Sequence, residues 1–149
     1  MQGAQTAAPL ILASNARAFG GKMQKEQMRA MIDDYIKAYN SFDIDGMLLH
    51  MHEEVSFQNI SNDQVNLSTN GISELRAAAE QAKMIFKSRR QTVTNYQYDR
   101  DAATIEIEYV GEFASDIPNG PKAGDTINLK GKSEFVFKDG SIIKLTDIS

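Results

Sequence analysis

The stretch Ser133-Glu134-Phe135-Val136-Phe137-Lys138-Asp139-Gly140-Ser141-Ile142-Ile143-Lys144-Leu145-Thr146-Asp147 decides the fold. Two runs rich in aromatic and β-branched residues flank Lys138-Asp139-Gly140, the pattern of a β-hairpin. A strict two-residue turn at Asp139-Gly140 sets Phe135 opposite Lys144. A three-residue loop with Gly140 left-handed instead pairs Phe137 with Ser141, Phe135 with Ile143 and Glu134 with Lys144. That second register joins apolar groups to apolar groups and acid to base, so it is the expected one. It turns Ser133, Phe135, Ile143, Leu145 and Asp147 to one face. A carboxylate thereby ends beside the core.

Upstream, Gln91 to Tyr98 and Ala103 to Ala114 read as strands around an Asp-Arg-Asp turn, and Asp125 to Phe137 follows a loop marked by Pro118, Asn119, Gly120, Pro121 and Gly124. Strands this long curl, and bulges are expected at Gly111 and Gly131. Glu106, Glu108 and Glu112 alternate with Ile105, Ile107 and Tyr109, a half-buried strand with a charged outer face.

Nearer the N-terminus the period changes. Met28, Met31, Ile32, Tyr35, Ile36 and Tyr39 recur at three- and four-residue steps, so Lys25 to Ser41 reads as an amphipathic helix. Asp43 is placed to cap a short second helix carrying Met47, Leu48 and Met51. Val55 to Ile60 reads as a strand, and Ile60 to Gln64 as a turn-rich break. A third helix is expected from Gly71 to about Phe86, with Asn70 as a cap. Its stripe of Ile72, Leu75, Ala79, Ala82 and Phe86 suggests close packing on a sheet. Met28, Met31, Met47, Met51 and Met84 read chiefly as core filler.

A length of 149 residues with 42% hydrophobic and 24% charged content suits one globular domain with its own core. The absence of cysteine excludes disulfides, thiolate metal sites and a cysteine nucleophile. With a net charge of -4, and Lys87, Arg89 and Arg90 reading as a solvated strand entrance, no nucleic-acid partner is expected. No apolar run has membrane-spanning length, and a cytoplasmic location is expected. Residues 1–22 read as an N-terminal extension. Pro9 to Ala13 lacks the preceding basic residues and the length of a signal peptide, and Gly20-Gly21 separates it from a domain spanning 23–149.

This order of elements resembles the nuclear transport factor 2-like superfamily. The similarity is carried by Ala38-Tyr39-Asn40-Ser41-Phe42-Asp43-Ile44-Asp45-Gly46, by His52-Glu53-Glu54-Val55-Ser56-Phe57, and by Phe135 to Ile143. The Ile117-Pro118-Asn119-Gly120 loop followed by Gly131 is most similar to the SnoaL-like branch, which includes polyketide cyclases and has ketosteroid isomerases as relatives. The resemblance implies an α+β fold whose cone-shaped, curved antiparallel sheet wraps around the N-terminal helices to enclose a pocket. It also implies a homodimer through the outer sheet face.

By that resemblance Tyr35 holds the place of an oxyanion-stabilising tyrosine; the alternative is a core tyrosine whose hydroxyl is satisfied elsewhere. Asn59 and Ser133 stand where the isomerases carry their two acids. Steroid isomerisation is therefore not expected, although Asn59 could orient a ligand carbonyl or simply begin a turn. Asp147 matches the late-strand acid of SnoaL-like cyclases and is the candidate general acid or base, unless it frays into solvent or pairs with a lysine. Phe57, Tyr39, Tyr96, Tyr109, Ser133 and Phe135 are the candidate ligand contacts. His50 and His52 lie two residues apart at the expected end of the second helix and read as surface residues, so no metal is expected. The ligand these residues suit is a small hydrophobic carbonyl compound, handled without a cofactor. A non-catalytic binding or dimerisation module is the alternative.

Overall fold

The computed structural model describes residues 23–149, so the extension at 1–22 lies outside the described residues. Helix α1 (Lys25–Asn40) buries Met28, Met31, Ile32, Tyr35, Ile36 and Ala38, which is the stripe its periodicity requires. The Ser41 hydroxyl closes it by donating to the Lys37 carbonyl at 2.8 Å. Asp43 caps α2 (Ile44–Leu48) by accepting from the Gly46 amide at 3.0 Å. Met51 is not part of this helix but opens strand β1 (Met51–Ser61). His50 therefore falls in the connection, against Asp34 at 2.9 Å, and His52 lies in the strand.

β1 turns back through Asn62 and Asp63, both at positive φ, into β2 (Gln64–Asn70). Sequence periodicity assigns no element to these residues because only Thr69 of β2 is buried. An edge strand that packs little has no apolar alternation to reveal it. Helix α3 (Ile72–Ile85) begins at Gly71, whose φ of 88° is open to glycine, and not at Asn70. The Asn70 amide instead donates to the Glu74 carboxylate at 2.9 Å. Strands β3 (Phe86–Asp99), β4 (Ala102–Phe113), β5 (Thr126–Lys138) and β6 (Ser141–Ile148) complete the chain. β3 thus starts five residues before the expected Gln91, and it carries Arg89 into the sheet.

The six strands form one curved, unclosed sheet in the order β2-β1-β6-β5-β4-β3. Its pairings are antiparallel except that β1 and β6 run parallel, a departure from the wholly antiparallel sheet expected. Met28, Ile32, Val55, Ile105, Phe135, Ile142 and Leu145 form the most deeply buried part of the core between α1 and the concave face. α3 lies across the opening, touching β1, β2 and the start of β3. Met84 near its end is 77% exposed and fills no core.

Two strand expectations need correction. The last hairpin uses the strict two-residue turn, with Asp139 and Gly140 both at positive φ and Lys138 opposite Ser141. The conflict this creates is removed by a bulge: Phe137 faces Ile142, Val136 faces Lys144, and Ile143 is the extra residue. Phe135 then lies opposite Leu145, and Glu134 opposite Thr146. Ile143 leaves the inner set, while Ser133, Phe135, Leu145 and Asp147 stay in it. The β4–β5 register runs unbroken through Gly111 and Gly131, so neither is a bulge. Gly131 is instead a close approach, since a Cβ there would meet the Ile148 carbonyl oxygen at 2.7 Å. The bends of β3 come from register shifts beside Lys87 and Thr94.

The parity of β5 has a direct test. Phe135→Ala should lower the unfolding free energy by about 3–5 kcal/mol, whereas Val136→Ala on the opposite face should lower it by less than about 1 kcal/mol. Urea denaturation of both variants measures the difference, and comparable losses would contradict the described facing.

Candidate functional site

The concave face and α3 enclose a cavity of about 440 Å³. Its ceiling is made by Leu75, Ala78, Ala79 and Ala82 of α3. Ala79 is buried against the core, as its spacing suggested, and the short side chains of Ala78, Ala79 and Ala82 border the open space. Phe57, Ile107, Ile127 and Leu129 supply apolar wall, and Gly131 removes a side chain where β5 passes beneath the end of β6.

Asp147 lies on the floor. It is paired across β1–β6 with Asn59 and across β5–β6 with Ser133, so three polar residues form one row of the sheet. The Ser133 hydroxyl donates to Asp147 Oδ1 at 2.6 Å. Burial raises the carboxyl pKa to about 6, while the hydrogen bond from Ser133 opposes the rise. Ser133 is itself 2% exposed and acts by holding Asp147. Asn59 borders the cavity, with its Nδ2 donating to Asn66 Oδ1 at 2.8 Å.

Three tyrosines line the cavity above this row. Tyr35, from α1, is held edge-on against Phe135 with ring centroids 6.0 Å apart. Burial is the largest cause raising its pKa well above the ordinary tyrosine value, and the Asp147 carboxylate adds to it. Tyr35 therefore stays a protonated donor at any physiological pH. Tyr39 and Tyr109 share a hydrogen bond of 2.9 Å between their hydroxyls. Both are also raised by burial, against a lowering by the Arg89 guanidinium.

Not all of the sequence-selected residues meet here. Tyr35, Tyr39, Phe57, Asn59, Tyr109 and Asp147 border one cavity. Phe135 stands behind Tyr35, fully buried, and is not a wall. Tyr96 is elsewhere: its hydroxyl donates to Asp33 Oδ1 at 2.6 Å, and its ring stacks on Tyr98. The shift at Thr94 reverses the facing of β3, so Tyr96, opposite Ile105, shares the inner face with Gln91, opposite Tyr109; it lies off the cavity because it packs further along the strand, against α1.

The same strand holds what the sequence reading missed. Arg89 is 5% exposed, not a solvated strand entrance. Its guanidinium lies 3.7 Å from the centroid of the Tyr39 ring, and its Nε donates to the Tyr39 carbonyl at 3.0 Å. Asn40 fixes this corner by bonding both backbone groups of Gln91, at 2.7 and 3.0 Å. The available signal was parity, because Arg89 and Gln91 share one face of an extended strand while Arg90 takes the other. Among the described residues no group of three or more His, Asp or Glu side chains could hold a metal, and no helix is long and apolar enough to cross a membrane.

The SnoaL-like domain family model matches residues 32–145. No curated protein matches the chain by sequence. Among solved structures the chain is similar to a proposed SnoaL-like polyketide cyclase from Jannaschia sp. CCS1, with 15% identity, a TM-score of 0.71 and coverage of 82% of this chain and 84% of that one. It is also similar to a proposed polyketide cyclase from Xanthomonas campestris pv. campestris, with 20% identity, a TM-score of 0.68 and coverage of 84% and 91%. A nuclear transport factor 2-like protein of unknown function from Burkholderia pseudomallei K96243 gives 13% identity, a TM-score of 0.68 and coverage of 83% and 90%. At these identities what is shared is the fold.

The buried carboxyl ties stability to pH. The folded state holds the Asp147 proton up to about pH 6, whereas the unfolded chain releases it near 3.8. The stability this group contributes is therefore intact below the unfolded pKa and lost as pH rises through 6. Asp147→Asn removes that loss and should raise the unfolding free energy by roughly 2–3 kcal/mol at pH 8, with little gain near pH 4. Urea titrations at the two pH values check this. Equal effects at both would show a carboxyl in ordinary contact with water.

Proposed function

This chain belongs to the SnoaL-like domain family, and from that premise we propose that its cavity binds a small hydrophobic carbonyl compound and moves a proton on it with the chain's own side chains. The observation that carries the reading is Asp147: a carboxyl on the floor of an open apolar cavity, beside phenols that stay protonated. With a pKa of about 6 it is mostly ionised at neutral pH and still basic enough to accept a proton from a carbon next to a carbonyl. In this reading Asp147 takes that proton, and Tyr35 donates a hydrogen bond to the oxygen on which negative charge develops. Asn59, in the same row of the sheet as Asp147, orients the carbonyl. The proton then returns from Asp147 at a new position or to a new bond. Ser133 steadies Asp147 throughout.

The polyketide cyclases proposed among the similar structures support a ring-bearing carbonyl substrate. The departure from the isomerase pattern fits as well. The positions of its two acids are occupied by Asn59 and Ser133, and the one carboxyl stands between them on β6. A homodimer through the outer sheet face belongs to the same reading, supported by Val110 and Val136 standing 48% and 37% exposed on it. Sedimentation equilibrium that returns only the 16.5 kDa monomer at high concentration would remove this part.

Proton transfer is measurable before the natural substrate is known. Cyclic aryl ketones incubated in D2O should exchange their α-hydrogens faster with the protein than without it, as followed by proton NMR. The rate should rise with pH and level off above about 6. Asp147→Asn should lower it by about 100-fold or more, and Tyr35→Phe by a similar order. Exchange that is unchanged in Asp147→Asn would refute the assignment and leave a binding module.

A further inference from the structure

Arg89 presents a problem that the proton-transfer reading does not solve. A cation removed from water requires an anion or a full set of acceptors. The described residues place no carboxylate within 4 Å of it. They offer its Nε the Tyr39 carbonyl, its Nη2 only the Met47 sulfur at 3.8 Å, and its plane the faces of Tyr39 and Phe42 at 3.7 and 4.5 Å. A guanidinium has five N–H donors in a planar fork, so most of this fork faces no protein oxygen. The next inward residue of β3 has the complementary defect. Gln91 is 5% exposed, and its Oε1 is buried without a hydrogen-bond partner among the described residues. Both residues border one cavity, but the Gln91 oxygen is closed to it, so the guanidinium is the group that a ligand there can reach.

Asp147 does not neutralise the guanidinium. Across the sheet Arg89 shares a row with Gly111 and Ile127, whereas Asp147 shares one with Ser133, further along β5. The guanidinium and the carboxyl therefore occupy different ends of the cavity, with Tyr35, Tyr39 and Tyr109 between them.

We propose that the Arg89 end is a carboxylate seat: the guanidinium binds the ionised carboxylate of a ring-bearing ligand through two parallel N–H···O bonds. The seat deepens the reading of the cavity as a substrate site, on which it rests, by naming the substrate class as a hydrophobic carboxylate. It also fixes orientation. A ligand seated on Arg89 sends its neutral carbonyl end towards Asp147, and the reverse placement would bring two carboxylates together. Fork-to-carboxylate geometry is the strongest hydrogen-bonded arrangement that a single side chain offers to such a group.

The test compares 2-naphthoate with 2-naphthamide, which share a ring and differ in charge. Titration calorimetry at pH 7.5 on the wild type and on Asp147→Asn should give a carboxylate Kd lower than the amide Kd by about tenfold or more. In Arg89→Met the two values should converge to within about twofold. Gln91→Glu provides a control that keeps the arginine and its packing: the new carboxylate, two residues along the same face, pairs with Arg89 and should abolish the preference while raising the melting temperature. If Arg89→Met does not fold, Gln91→Glu decides. Equal binding of the two probes by the wild type, binding of neither, or a preference that survives these substitutions overturns the seat. The α-hydrogen exchange assay separates the two claims. A preference lost with Arg89 stands even where no exchange is found, and exchange indifferent to ligand charge leaves proton transfer standing and removes the seat.

Discussion

One extra residue, Ile143, sets which side chains of the last strand enter the molecule. The tight Asp139-Gly140 turn alone would bring Lys144 opposite Phe135 and turn Asp147 to the outside. Because Ile143 bulges, the facing reverses after Ile142, so Leu145 packs on Phe135 and Asp147 comes inward beside Ser133. A side-chain period of two makes this an all-or-nothing switch, since one inserted residue moves every later side chain to the other face. The floor of the cavity, its acid and the facing of the core beneath it all follow from that insertion.

The cavity above exists because small residues stand where larger ones would close it. Ala78, Ala79 and Ala82 form the roof, and Gly131 leaves clear the place where a Cβ would strike the Ile148 carbonyl. Into this apolar space the fold directs a carboxyl whose ionisation burial opposes, and a guanidinium with no protein anion. Both disfavour the empty state, and both are groups that a ligand of matching chemistry would relieve. Local rules of good packing and full pairing are broken together at one place, while the fully buried Ile32, Ile105, Phe135 and Leu145 keep them.

Asn59, Asp147 and Ser133 sit on three adjacent strands in one row. A carboxyl on the middle strand of the three has its pKa raised by burial and is steadied by the Ser133 hydroxyl. The fold tolerates this because strand pairing is indifferent to which inward residue is acidic, provided that its hydrogen bonds are met.

The sequence by itself determined the class of fold, the stripe of α1 and the cap at Asp43, whereas the inward facing of Asp147, though expected, is delivered by the Ile143 bulge and not by the register the sequence suggested. Those signals are local: a period, a turn dipeptide or a side-chain oxygen three residues from an amide. Only the tertiary structure decided that β6 pairs parallel with β1, that Gln64–Asn70 is an edge strand, that Tyr96 lies off the cavity and that Arg89 is inside it. Each of these depends on a register between residues distant in the chain, and a single bulge reverses it without changing composition. The alanines of α3 show the limit most plainly. Their spacing announces an inner face, but whether that face meets a neighbour or leaves a hollow depends on where the sheet curves away.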